Sequence, residues 1–308
     1  MYLSTKFYHI TIEIYPGTFY SIVNMVYDAY IITGPTASGK SAFAHDLARK
    51  IDGTIINADS VQIYRGIENI SASPFAGRDI TPDIDGVPYV LFSILPLDTQ
   101  ISVGEYLNLA RAEYDKAIKN GRKPIFVGGT GYYINAIING ISPMPDIDDD
   151  VRIRARKMVA DDIDAARKML PAEFTATDPQ RVARAVEVFL QTGIHITEFQ
   201  NAKRVGAVAP DAHRILINPP TDVLRERIAK RIPEMMSGGA FDEAQSVIAA
   251  GWDENRAIGA SQLCKYIRGE IGIDDAIQNW ITKTNQYAKR QRTWFRTQFQ
   301  PDEVITKI

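Results

Sequence analysis

The segment Gly34-Pro35-Thr36-Ala37-Ser38-Gly39-Lys40-Ser41 fits the spacing G-x-x-x-x-G-K-[ST], which suits phosphate. Backbone N–H groups of such a turn, running into a helix, point at an anion, and the helix dipole favours negative charge there. Gly34 and Gly39 let the backbone wrap closely. Lys40 offers a compact cation, and the Ser41 hydroxyl can ligate Mg²⁺. The loop implies a diphosphate or triphosphate and does not by itself imply ATP. A second candidate group is Asp59 in Ile55-Ile56-Asn57-Ala58-Asp59-Ser60, followed by Gln62, Tyr64 and Arg65. A lone Asp at a strand end is more often a cap or loop residue. Beside a phosphate loop it becomes a candidate general base.

These groups need elements that bring them together. The pattern predicts a strand over Tyr27–Thr33, a helix over Ala42–Lys50, a strand over Gly53–Asn57 and a strand over Arg122–Val127 that ends in Gly128-Gly129-Thr130-Gly131. Such alternation predicts an α/β fold, a P-loop NTPase-like core with a mainly parallel sheet flanked by helices. Ligands of such sheets bind outside the carboxyl ends of the strands, the edge where the loop and Asp59 both fall. A kinase or GTPase would carry an acid closing a later strand. Here Pro124 to Val127 runs straight into glycine, which weighs against phosphoryl transfer.

After Pro143 and Pro145 the texture changes to an Asp run and a helical pattern lasting to about residue 205. Asp178-Pro179 is a good helix start. Arg214–Asn218 reads as a strand, and Thr221–Met236, Phe241–Ala249 and Asp274 to about Phe299 read as helices. The expected organisation is a core of residues 25–142 and 206–308, a helical insertion over 143–205, and an N-terminal extension over 1–24. The extension lacks the features of a secretory or transit peptide. It reads equally as an appended strand or tail, or as sequence ahead of a working start at Met25.

With 35 Lys and Arg against 37 Asp and Glu, the net charge is −2, so any nucleic-acid surface must be local. No run of about 18 apolar residues suggests a membrane span. Cys264, alone, makes no internal disulfide, and the four histidines show no metal spacing. These read as structural.

GPTASGKS, NADSVQIYRG, VGGTGYYINAIING and KRQRTWFR, in this order and spacing, resemble the tRNA dimethylallyltransferase (tRNA isopentenyltransferase) family over about residues 28 to 300. The resemblance implies transfer of a dimethylallyl group from dimethylallyl diphosphate to N6 of adenosine 37, beside the anticodon. It implies that Gly34 and Thr36, Ala37, Ser38, Gly39, Lys40 and Ser41 hold the donor diphosphate with Mg²⁺, and that Asp59 is the base. It further implies contacts to the tRNA anticodon stem-loop from Asp59, Ser60, Val61, Gln62, Thr130, Arg152, Gln180, Arg181, Arg184, Lys289, Arg290, Gln291, Arg292, Thr293, Trp294 and Arg296. The segment Arg256 to Ser261 belongs with these, although Ala260-Ser261 departs from the usual pair there. A cytoplasmic monomer with no membrane contact is expected. An isopentenyltransferase of free AMP or ADP and a small-metabolite kinase are the alternatives.

The chemistry is consistent with those groups. Adenine N6 is a poor nucleophile, and a carboxylate of reference pKa about 3.9 cannot strip it beforehand. It can accept the proton as the C–N bond forms. Counted at 100° per residue, the last helix is expected to bury Ile277, Ile281, Thr284, Ala288 and Phe295, with Lys289, Arg292 and Arg296 along one edge and Lys283, Arg290 and Trp294 on the far side. The basic residues of the insertion also fit surface ion pairs, such as Arg181 and Arg184 with Glu187.

Overall fold

The computed structural model describes residues 9–15, 18–23 and 27–307. Met25 lies outside them. Two strands, β1 (His9–Tyr15) and β2 (Thr18–Val23), pair antiparallel with His9 opposite Val23.

Tyr30-Ile31-Ile32-Thr33 and Gly53-Thr54-Ile55-Ile56-Asn57 are short apolar runs buried on both faces, as central parallel strands require. They form β3 (Tyr30–Thr33) and β4 (Gly53–Asn57). A small hairpin partner β5 (Asp83–Ile84) and β6 (Val87–Val90) follow, then β7 (Lys123–Gly128), β8 (His213–Ile217) and β9 (Glu303–Ile305). Among the described residues these seven strands form one sheet in the order β5-β6-β4-β7-β3-β8-β9. All neighbours are parallel except β5 and β6. The expected strand at Tyr27 begins three residues later, because the Tyr27 ring instead stacks on His213, with centroids 4.0 Å apart.

Register decides which ends align. Thr33 of β3 lies opposite Gly128 of β7, and Asn57 of β4 lies opposite Val127. The chain therefore leaves β3, β4 and β7 at one level, and Gly34, Ala58 and Gly129 share one edge. The approach there is tight. A Cβ on Gly128 would overlap the Ala58 carbonyl, so only glycine fits.

Helices cover the sheet: α1 (Lys40–Ile51), α2 (Val103–Lys119) and α3 (Gly131–Asn139). Helix α2 starts with a capping box in which Ser102 accepts the Glu105 N–H and Glu105 accepts the Ser102 N–H. Beneath α1, Phe43, Leu47, Ile55, Ile125 and Ile215 form a continuous core. Each such side chain contributes about 1.5–3 kcal/mol on burial.

The chain divides into two units. One is the sheet unit, up to Ile138 and again from Val208. The other is Asn139–Ala207, an insertion whose ends meet in a two-way backbone pairing of Ile141 with Val205. It contains α4 (Asp149–Asp161), α5 (Ile163–Arg167), α6 (Pro179–Thr192) and α7 (Ile196–Asn201). Helix α6 begins as its sequence dictates. Asp178 caps the Arg181 N–H at 3.0 Å, Pro179 takes the first position, and Gly193 closes the helix at φ 71°. Its buried Val182 and Val186 pack on Ala155 and Val159 of α4.

The chain then returns to the sheet unit with α8 (Thr221–Met235), α9 (Phe241–Ala249), α10 (Ala260–Ile267) and α11 (Ile273–Gln298). On α11 the buried stripe is Ala276, Trp280, Thr284, Ala288, Gln291 and Phe295. Ile277 and Ile281, expected in the core, are only half-buried. The cause is local: Gly259 has no Cβ, and the Trp280 indole fills the space one would occupy, which turns the helix.

Candidate active site

The phosphate loop runs from β3 into α1 in the order its spacing requires. A Cβ on Gly34 would overlap the Ile217 carbonyl, and Gly39 takes φ 92° at the helix start. The first turn of α1 leaves N–H groups without partners inside the helix. Ser38 donates its N–H to the Pro35 carbonyl at 3.2 Å, which tightens the turn. The Ser38 hydroxyl is fully buried with no hydrogen-bond partner, an orphan at the heart of the loop.

Cations gather around it. Burial lowers the Lys40 pKa to about 8, with Arg231 adding to the fall and Asp59 opposing it. Arg231 of α8 donates to the Thr36 hydroxyl at 2.9 Å, and burial lowers its pKa to about 10. Its Nε is buried without a partner. Arg227, one turn earlier, donates to the carbonyls of Ala37 and Ser38 at 3.4 and 3.2 Å. Buried cations beside unpaired N–H groups make a site for an anion.

Asp59 follows β4 in a turn built by its neighbours. Asn57 Oδ1 accepts the Asp59 N–H at 2.9 Å, and Asn57 Nδ2 donates to the carbonyls of Asp59 and Leu91. Asp59 Oδ1 accepts the N–H of Val61 at 3.0 Å and that of Gln62 at 3.4 Å. Its Oδ2 has no hydrogen bond among the described residues. The turn is tied to the next loop because the Thr130 hydroxyl accepts the Ser60 N–H at 3.0 Å. The carboxylate is thus fixed in direction with one oxygen to spare.

Loop and carboxylate line one cavity of about 590 Å³. Its other walls carry an apolar group, Val61, Ile70, Met235, Ile258, Trp280 and Tyr287, beside polar and charged side chains that include Lys230, Glu234, Arg256 and Thr284. The sequence offered no means to find this apolar group, since its members come from loops and helices far apart in the chain. Arg227 and Arg231 were also missed. Their signal was present, as two cations four residues apart share one helix face.

The residues expected to meet RNA fall into distinct environments. Lys289, Arg290, Thr293 and Arg296 are exposed on α11. Arg292 donates to the Thr221 hydroxyl, and Trp294 is half-buried against Gly131, where a Cβ would meet its ring. Gln291 is instead buried, with its amide between Thr36 and Gly129. It does not share the exposed face, because the helix turns that position toward the loop. Gln62 Nε2 donates to the carbonyls of Ser71 and Ala72, both at 3.0 Å. Arg256 lies over the rings of Tyr64 and Trp252 and donates to the Tyr64 hydroxyl at 2.9 Å. In the insertion, Gln180 is exposed and Arg181 pairs with Asp178. Arg152 pairs with Asp149, and Arg184 with the buried Glu187.

A family model described as IPP transferase matches residues 62–298, and one described as isopentenyl transferase matches 27–80. The tRNA dimethylallyltransferase of Agrobacterium fabrum is 37% identical over 90% of this chain and 95% of its own length. The chain belongs to the tRNA dimethylallyltransferase family. The Azorhizobium caulinodans tRNA dimethylallyltransferase is 38% identical over 89% of this chain and 90% of that one. Among solved structures, the tRNA isopentenylpyrophosphate transferase of Bacillus halodurans aligns with a TM-score of 0.63 at 29% identity, covering 91% of this chain and 90% of that one. The sheet unit is thus the P-loop NTPase-like core of a dimethylallyltransferase, in an enzyme class of prenyltransferases. No helix among the described residues is long and apolar enough to cross a membrane.

Proposed function

We propose that the chain transfers the dimethylallyl group of dimethylallyl diphosphate to N6 of adenosine 37 in the tRNA anticodon stem-loop. The observation that carries this reading is one cavity that joins a cation-rich phosphate loop, a group of apolar side chains and the Asp59 carboxylate, whose hydrogen bonds among the described residues fall on Oδ1. The diphosphate sits on the loop N–H groups, Lys40 and Arg231, which meet the charge that grows on the leaving oxygen. Ile70, Met235, Ile258 and Trp280 take the five-carbon tail and keep water from the allylic carbon. The adenine leaves its stack to enter, at a cost of a few kcal/mol. As the C–N bond forms, N6 becomes acidic and Asp59 Oδ2 takes its proton.

A divalent ion fits this site as a companion of the diphosphate. Among the described residues there is no cluster of three His, Cys, Asp or Glu to cage a metal. Mg²⁺ is commonly bound by substrate phosphates and few protein oxygens. The Ser41 hydroxyl would hold it, and it would neutralise the departing charge.

Cations on α11, together with Arg152, Arg181 and Arg184 of the insertion, offer phosphate contacts. Thr130, Ser60 and Gln62 border the carboxylate turn. Incubation with labelled dimethylallyl diphosphate and a tRNA bearing A37 is expected to label that base alone. Label in free AMP without tRNA would move the acceptor assignment to the mononucleotide, and no transfer at all overturns the proposal. In the same assay Asp59→Ala is expected to lower kcat by about 10²–10⁴-fold.

A further inference from the structure

Gln291 lies in the segment matched to RNA contact, yet its side chain is buried and both ends of its amide are engaged. Oε1 accepts the Thr36 N–H at 2.8 Å, and Nε2 donates to the Gly129 carbonyl at 2.9 Å. One side chain thus bridges the loops that leave the adjacent strands β3 and β7. The fit is close, because a Cβ on Gly129 would overlap Nε2. The chemistry is specific too. Thr36 presents a donor and Gly129 an acceptor, and a carboxamide answers both at once. Glutamate would set a carboxylate oxygen against the Gly129 carbonyl, and methionine would answer neither. Beside this bridge, Arg231 holds the Thr36 hydroxyl and Arg227 the next two carbonyls. The shoulder of the loop is therefore held by long side chains from α8 and α11, while the N–H groups that follow at the start of α1 stay directed at the cavity.

We propose that Gln291 is a positioning residue of the donor site. It sets the shoulder of the phosphate loop against the edge of β7 and acts on the donor diphosphate through the loop, since its amide borders the cavity but is engaged at both ends by backbone. This rests on the reading that the loop holds the donor diphosphate.

The test is steady-state kinetics of the full chain with dimethylallyl diphosphate and a tRNA bearing A37, on Gln291→Met, Gln291→Glu, Gly129→Ala and the double variant Gly129→Ala/Gln291→Met. Lys40→Met serves as the donor-site reference. The donor KM is expected to rise about tenfold in each Gln291 variant and in Gly129→Ala, with the tRNA KM within about twofold of the parent. The double variant is expected to be no worse than the poorer single one, since both remove the same bridge. Should Gln291→Met not fold, Gln291→Asn, polar but one methylene short of its partners, is read the same way. A raised tRNA KM with an unchanged donor KM makes Gln291 an RNA contact and overturns the proposal, as does an unchanged donor KM in all Gln291 variants. If Lys40→Met also leaves the donor KM unchanged, the donor-site reading itself fails.

Discussion

Lys40 stands where a diphosphate needs a charge, yet its surroundings make that charge costly. Burial is the larger influence and lowers its pKa to about 8, although Asp59 pulls the other way. Lys40 is therefore partly neutral at mildly alkaline pH, while Arg231 beside it stays charged. Below about pH 8 the ammonium is present, and the proposed donor would bind it directly. Above that, binding must first take a proton from solvent, so donor affinity is expected to fall by up to tenfold per pH unit. A titration of donor KM from pH 7 to 9.5 checks this. Lys40→Arg, with a guanidinium that stays charged, is expected to flatten the upper limb whatever its KM. An equally steep rise in the arginine variant would assign the titration to another group.

Helix α6 shows how much a short signal can fix about one element. Asp178, Pro179 and Gly193 are start and stop residues, and the helix spans Pro179–Thr192 between them. Loss of the cap is expected to cost about 1 kcal/mol. Asp178→Ala should lower the unfolding free energy by that amount, read from the shift in denaturant midpoint, while Asp178→Ser should restore most of it. Helix α11 is the counter-example. Its boundaries were legible to within a residue, whereas its buried face was legible only in part: Thr284, Ala288 and Phe295 are buried as expected. Hydrophobic periodicity selected Ile277 and Ile281, but the core took Trp280 and the polar Gln291. A gap at Gly259 and the two backbone groups at Thr36 and Gly129 that Gln291 pairs decided which side turned inward.

Across the whole molecule, a chain of net charge −2 is proposed to grip a polyanion. That requires its cations to be gathered locally, as on the exposed face of α11. Binding to tRNA is then expected to weaken steeply with salt, as counterions released from the RNA oppose it. The double variant Lys289→Glu/Arg296→Glu should reduce the slope of log K against log salt by about 1–2 and leave donor KM nearly unchanged. Filter binding at 50 to 300 mM salt measures this, and an unchanged slope would remove α11 from the interface. The insertion, Asn139–Ala207, is closed at its neck by Ile141 and Val205, a little wider than the expected span of 143–205, whose start is marked by Pro143 and Pro145. Prolines mark where the texture of the sequence changes, but backbone pairing sets where the unit closes.

The phosphate loop, the carboxylate after β4 and the alternation of strands and helices could all be read from the chain alone. Each depends on residues within a few positions of one another, where backbone geometry follows directly from residue type. Only the tertiary structure decided that Arg227, Arg231 and Gln291 converge on Thr36 to Ser38 from about 190 to 255 positions away. It alone decided that the apolar group combines Ile70 with Ile258 and Trp280. Which face a helix turns inward depends on the shapes and unpaired groups beneath it, and those belong to other parts of the chain.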